Sequence, residues 1–164
     1  MTTDPGTATA ATRPGGEPLQ EVWLRRYPLR LGLRASEHYE SVFREFALLS
    51  AAEPGPSVPS RMVALIDELG KRYARNNAHE QQRDEALSRG EETLDIVLHV
   101  PASAGTIGRS IESMLDETDE YCRQGKLLTL GPPADVVAFR RWYIGELARQ
   151  LEGAEAQPWS GEVS

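Results

Sequence analysis

The side chains able to do chemistry near neutral pH are few in this 164-residue sequence: three histidines and one cysteine, set among 25 carboxylates. His38, His79 and His99 fall on separate segments. His79-Glu80 lacks the second histidine, one helical turn on, that a zinc-protease helix needs. A single cysteine, Cys122, excludes a disulfide within the chain and a multi-cysteine zinc centre. His38 is followed by Tyr-Glu-Ser with no lysine close by, a poor match to a phospho-accepting helix. His99 alternates onto the polar face of an apolar strand beside Asp95, where it is either a pH-responsive group or a solvated one. The phosphate-binding Gly-x-x-x-x-Gly-Lys-Ser/Thr loop is absent. Gly105-x-x-Gly108 lacks a third glycine and reads as two small residues easing a helix start. No Gly-x-Ser-x-Gly elbow occurs. Cys122 sits on the apolar face near a helix C-terminus, whose negative pole raises a thiol pKa. No catalytic residue, metal site or cofactor is assigned on these grounds.

What remains is charge and aromatic surface. Asp116-Glu117 and Asp119-Glu120 lie on one helix, and Asp116 shares a face with Asp119 and Glu120. Such a face suits a cation or an arginine-rich partner, or plain solvation. The densest run is Phe139-Arg140-Arg141-Trp142-Tyr143. On a helix, Phe139 and Tyr143 point inward while Arg141 and Trp142 point elsewhere. Trp and Arg are enriched at interface hot spots; the competing reading packs Trp142 internally, beneath the proline loop or the N-terminal leader. Arg140 lies between apolar positions and is expected to pair with an Asp or Glu of the preceding helix. Arg141 and Trp142, then Arg30 and Arg34, with Asp116 and Glu120, form the candidate partner-binding set. An alternative uses Arg30 and Arg34 with Arg140 or Arg141 to clamp a phosphate or carboxylate, as a small-molecule or nucleotide sensor.

Elements must position these groups. Residues 1–18 are rich in Thr, Ala, Gly and Pro and read as a disordered leader; 19–153 reads as one globular domain, and 154–164 as a flexible tail in which Trp159 can fold back. Tyr27, Leu29, Leu31 and Leu33 alternate with polar residues and predict a strand, with Arg30 and Arg34 on its outer face. Ser36 caps a predicted helix over 37–51, carrying Tyr39, Val42, Phe43, Phe46 and Leu49. A second helix opens at Ser60, with Met62, Leu65, Ile66, Leu69 and Tyr73 as its stripe. Asn76-Asn77 interrupts it, and a polar helix then runs to Gly90. Leu94, Ile96, Leu98 and Val100 alternate in the clearest strand, stopped by Pro101. A third apolar helix runs from Ser103 to Gly125, a short strand is predicted over 126–130, and a last helix spans 134–152. The class is α+β: a helix-dominated domain with a sheet of about three strands, in the order β-α-α-β-α-β-α. A mainly α fold is the alternative if the short strands are loops.

The formal charge of −7 and pI near 5.0 argue against broad nucleic-acid or anionic-membrane binding. No run is long and apolar enough for a bilayer, and no secretory signal is visible, so a cytoplasmic protein is expected. Sixteen of the 18 basic residues are Arg, with Lys71 and Lys126 the exceptions, as a GC-rich genome produces. Tyr27-Pro-Leu-Arg-Leu31, Arg44-Glu-Phe46, Ala86-Leu-Ser-Arg-Gly90, Asp116-Glu-Thr-Asp-Glu-Tyr-Cys122, Leu127-Leu-Thr-Leu130 and Phe139-Arg-Arg-Trp-Tyr143 resemble a family of small proteins from high-GC Gram-positive bacteria. The resemblance covers roughly Trp23 to Trp159. It implies an association with partner-switching regulators, the anti-sigma kinases and their STAS-domain antagonists. The chain itself carries neither the Asn-box and glycine-rich lid of such a kinase nor a STAS signature. The expectation is a non-enzymatic regulatory or adaptor protein that binds another protein.

Overall fold

The computed structural model describes residues 16–52, 60, 61, 63, 64 and 78–161. Strand β1 (Leu19–Pro28) leads directly into helix α1 (Leu29–Ala52). Ser60, Arg61, Val63 and Ala64 are helical; the rest of the predicted second helix, Met62 and Leu65 to Asn77, lies outside the described residues, as does the leader up to residue 15. Helix α2 (Ala78–Ser88), strand β2 (Thr93–Pro101), helix α3 (Ser103–Arg123) and helix α4 (Ala134–Leu151) follow. The helix-dominated α+β class holds, with a single two-stranded antiparallel sheet among the described residues.

The first strand is displaced from its predicted place. β1 ends at Pro28, and Leu29 to Arg34 are the opening turns of α1 rather than strand. Arg30 and Arg34 are therefore helical, and Ser36 lies inside the helix instead of capping it. The buried positions of α1 are Leu29, Gly32, Ala35, Tyr39, Val42 and Phe46, a continuous three-and-four spacing. Gly32 and Ala35 carry that stripe without adding hydropathy, so the alternation of leucines masks it. β1 escapes a period-two reading because its inward residues are Val22, Leu24 and Tyr27. The register slips between Leu24 and Tyr27, where Arg25 and Arg26 together oppose Asp95. Arg26 sits at φ 53°, the left-handed conformation of a bulge. Asp95 secures it: one carboxylate oxygen accepts the Arg26 amide at 2.7 Å, the other the Arg25 guanidinium at 2.9 Å.

The strand predicted over 126–130 does not form. With no neighbouring strand to complete a ladder, its Leu128 and Thr129 amides donate instead to the Glu45 carboxylate of α1. α2 ends as expected, with Gly90 at φ 77°, and α3 and α4 end before Gly125 and Gly153, at φ 68° and 95°.

Two strands alone are marginal in water, and here one sheet face is roofed by helices. Val22, Leu24 and Ile96 from the sheet meet Leu29, Val42 and Phe46 of α1 and Val136 of α4, all fully buried. Each such side chain contributes roughly 1.5–3 kcal/mol. α3 packs along α4 through Gly105 and Gly108, which lie on one helix face. A Cβ at Gly105 would meet the Ala148 backbone at 3.4 Å, and one at Gly108 would meet Ile144 at 3.2 Å. The glycine pair is thus a close helix–helix contact, neither a phosphate loop nor merely an easy helix start.

Candidate functional site

α3 presents Glu112, Asp116 and Asp119 to α4, and Arg140 of α4 reaches into them. Its guanidinium side chain is 4% exposed. Nη1 donates to Asp119 at 2.6 Å and to the Tyr39 hydroxyl at 2.9 Å; Nη2 reaches Asp116, and Nε donates to Glu112 at 3.2 Å. Planarity lets one fork bind four groups from two other helices, which an ammonium cannot do. The expected pairing of Arg140 with carboxylates of the preceding helix is found here, as a cluster that ties α1, α3 and α4. Asp119 is buried, and its second oxygen has no hydrogen-bond partner among the described residues. Burial holds the Asp119 carboxyl above the ordinary range despite the pull of Arg140, and raises Glu112 likewise. His38 flanks this cluster, with its ring edge-on to Tyr39. Burial lowers its pKa, opposed by Asp119 and supported by Arg140.

The shifts of Cys122 and Tyr39 run away from use as nucleophiles. Burial pushes the Cys122 thiol up to about 11, with the charges of Asp119 and Glu45 adding to it. Burial also drives the Tyr39 hydroxyl far above its usual value. Among the described residues, no group of three His, Cys, Asp or Glu side chains is placed to hold a metal ion. The depression on the α3–α4 seam, between Arg109, Glu112, Asp116, Arg141 and Gly145, is shallow and open.

The other candidate residues fall as follows. Trp142 is half-buried between Tyr27, Phe139 and Trp159, and its indole N–H donates to the Gln157 carbonyl at 3.1 Å. It packs beneath the C-terminal segment; the proline loop, and the leader up to residue 15, lie outside the described residues. The C-terminal segment is tied by three further bonds: Trp159 N–H to the Arg25 carbonyl at 3.0 Å, Gln157 N–H to buried Glu146 at 2.8 Å, and Arg149 to the Glu155 carbonyl at 3.3 Å. Arg141 is exposed and lies 3.5 Å from Asp116. Arg34 pairs with Asp135 at 2.8 Å, and Arg30 is exposed on the first turn of α1. Glu120 is taken by its own helix, accepting from Arg123 and Gln124. The guanidiniums of Arg34, Arg140 and Arg141, considered above as an anion clamp, are thus already paired with carboxylates of this chain. His99 is exposed and stands 3.5 Å from Glu21 across the sheet.

Sequence reasoning missed one surface. Leu128 is 93% exposed and Leu130 82%, while Leu127 between α3 and the loop is buried. The loop is not slack. Glu45 accepts the amides of Leu128 and Thr129 and the Thr129 hydroxyl. Although burial opposes it, these bonds hold the Glu45 carboxyl below its ordinary range. The clasp brings the loop to the turn of α1 that carries Leu48, 69% exposed, and Leu49. The signal is the spacing of Leu128 and Leu130 inside the segment 126–130 predicted as a short strand.

Comparisons with protein-family models, with curated proteins and with solved structures found no match.

Proposed function

We propose that this chain is a non-enzymatic regulatory or adaptor protein of bacterial signalling, working in the cytoplasm by binding another protein. The observation that carries the reading is the leucine surface. Two leucines almost wholly in water, on a loop anchored by three hydrogen bonds that it donates to one carboxylate, cost solubility and add nothing to the core. Exposed apolar groups held in a fixed arrangement suit a partner's apolar face, with little ordering entropy left to lose on association. Arg30, Arg34, Arg141, Asp116 and Glu120 supply surface charges of both signs, which steer encounter and set register. The family resemblance of the phrases quoted above points to a partner-switching regulator as the class of partner. No helix among the described residues is long and apolar enough to cross a membrane.

The test is comparative capture from the native cell. Wild-type chain and the Leu128→Ser/Leu130→Ser variant are used as bait, and proteins held only by wild type are purified and titrated by calorimetry. The expected result is an unchanged melting temperature for the variant and at least about a tenfold loss of affinity, the scale of a small hot spot. Equal binding of every captured protein by both baits would refute the leucine surface.

A further inference from the structure

The two edges of the sheet are treated differently. On β1, Trp23 donates its amide to Gln150 Oε1 at 2.8 Å and accepts from Gln150 Nε2 at 2.7 Å, so a side-chain amide of α4 completes that edge. One residue pair along, the Trp159 amide covers the Arg25 carbonyl. In an antiparallel ladder the N–H and C=O of one residue point to the same side. Trp23 therefore faces away from β2, and its cross-strand neighbour Val97 faces away from β1. The far end agrees independently: Leu29 N–H donates to the Glu92 carbonyl at 3.0 Å, which turns the even-numbered residues of this segment toward β1. Asp95, Val97 and His99 thus present their N–H and C=O groups along the outer edge of β2. No main-chain bond to them from any other described segment is present.

We infer that β2 pairs antiparallel with β2 of a second copy, Val97 on Val97, giving a four-stranded sheet across a two-fold axis. Three features select this occupant and register. First, the odd-numbered residues on both edges match, so about six main-chain hydrogen bonds form between the copies. Second, centring on Val97 sets Asp95 directly opposite the partner's His99, and His99 opposite the partner's Asp95, where an imidazole N–H and a carboxylate complement each other. Both groups also have neighbours on β1, Asp95 with Arg25 and Arg26 and His99 with Glu21. Third, the other symmetric registers lose this pairing: centring on Ile96 or Leu98 sets Val97 opposite the partner's Asp95 or the partner's His99 and leaves both charges without a counterpart. Centring on Asp95 stacks two carboxylates, and centring on His99 sets Val97 against Pro101, which has no N–H to give. On the inner face, Ile96 meets the partner's Leu98 and the two cores become continuous. A strand edge left without partners is a hazard that folded proteins guard against; among the described residues β1 is guarded and β2 is not, and self-pairing guards it.

Light scattering after size-exclusion chromatography tests this on the full chain. A contact through one strand edge is at the small end of specific interfaces, so the doubled mass is expected at about 0.1–1 mM. His99→Asp places a carboxylate opposite Asp95 and is expected to weaken the dimer at least tenfold, the effect of a juxtaposed like charge. His99→Lys restores it. Val97→Pro removes only an outward N–H and is expected to yield monomer with its far-UV circular dichroism unchanged. Should Val97→Pro itself fail to fold, the exposed His99 pair of variants decides alone. A wild-type chain that stays monomeric at the highest concentration overturns the inference and leaves the edge to a strand from a different protein. A dimer indifferent to both His99→Asp and Val97→Pro overturns it as well.

Discussion

Replacing Arg140 by methionine keeps the length of the stem and deletes the charge. The consequences follow from what the guanidinium holds. Asp119 is 1% exposed at its side chain and would lose the cation it is hydrogen-bonded to, while Glu112 at 22% would lose its nearest. Tyr39 would lose a donor to its hydroxyl. Breaking a buried ion pair from one side costs about 3–5 kcal/mol, because a charge is left without compensation. For a chain of this size that lowers the melting temperature by roughly 6–20 °C. The sign of the pH dependence is also set. Asp119 already titrates above the ordinary carboxylate range in the folded protein, and without Arg140 it titrates higher still. A carboxyl raised on folding contributes stability that is full below its unfolded pKa and lost as pH rises through the folded one. The deficit of Arg140→Met is therefore largest at pH 7 and shrinks toward pH 4. Adding Asp119→Leu removes the stranded charge and recovers part of the loss, which a double-mutant cycle reads directly. Thermal and urea melts at pH 4 and 7 are the assay. An Arg140→Met variant within about 1 kcal/mol of wild type at pH 7, with no recovery in the double variant, would refute the reasoning, since buried unpaired charges cannot be that cheap.

Two further outcomes are expected. Gly32→Ala should destabilise the protein by about 1–3 kcal/mol in a urea melt, the cost of overpacking, because the new Cβ would lie 2.2 Å from the Tyr27 hydroxyl and 2.5 Å from its ring. Helix propensity alone predicts a gain of roughly 1 kcal/mol instead, so a more stable variant would show that Tyr27 does not pack there. Cys122, buried and shifted up to about 11, should react with a thiol reagent at pH 7.5 only as fast as the protein unfolds. Labelling as rapid as that of a free thiol would contradict its place in the core.

The helices and β2 were legible because their information is local. Leu94, Ile96, Leu98 and Val100 alternate without interruption, and α3 and α4 run between an opening residue and a glycine that accepts positive φ. The carboxylate partners of Arg140 were legible as a class, since Glu112, Asp116 and Asp119 recur on one face of α3. β1 and the start of α1 were not. A bulge between Leu24 and Tyr27 breaks the period of two, and Gly32 and Ala35 carry the helix stripe by being small rather than apolar. The leucine loop was misassigned because an extended apolar segment looks the same whether a strand or a single glutamate accepts its amides.

Composition and periodicity by themselves determined a helix-rich α+β chain, the glycine-marked ends of its last three helices and the inward position of Arg140, because each depends on neighbours within a turn or two. Only the tertiary structure decided that Trp142 is covered by residues 157–159, that Glu45 clasps a loop 83 residues away, and that one edge of β2 takes no main-chain bond from another described segment. Those outcomes rest on which distant groups satisfy each hydrogen bond and fill each gap, and that competition is settled only once the whole chain has closed on itself.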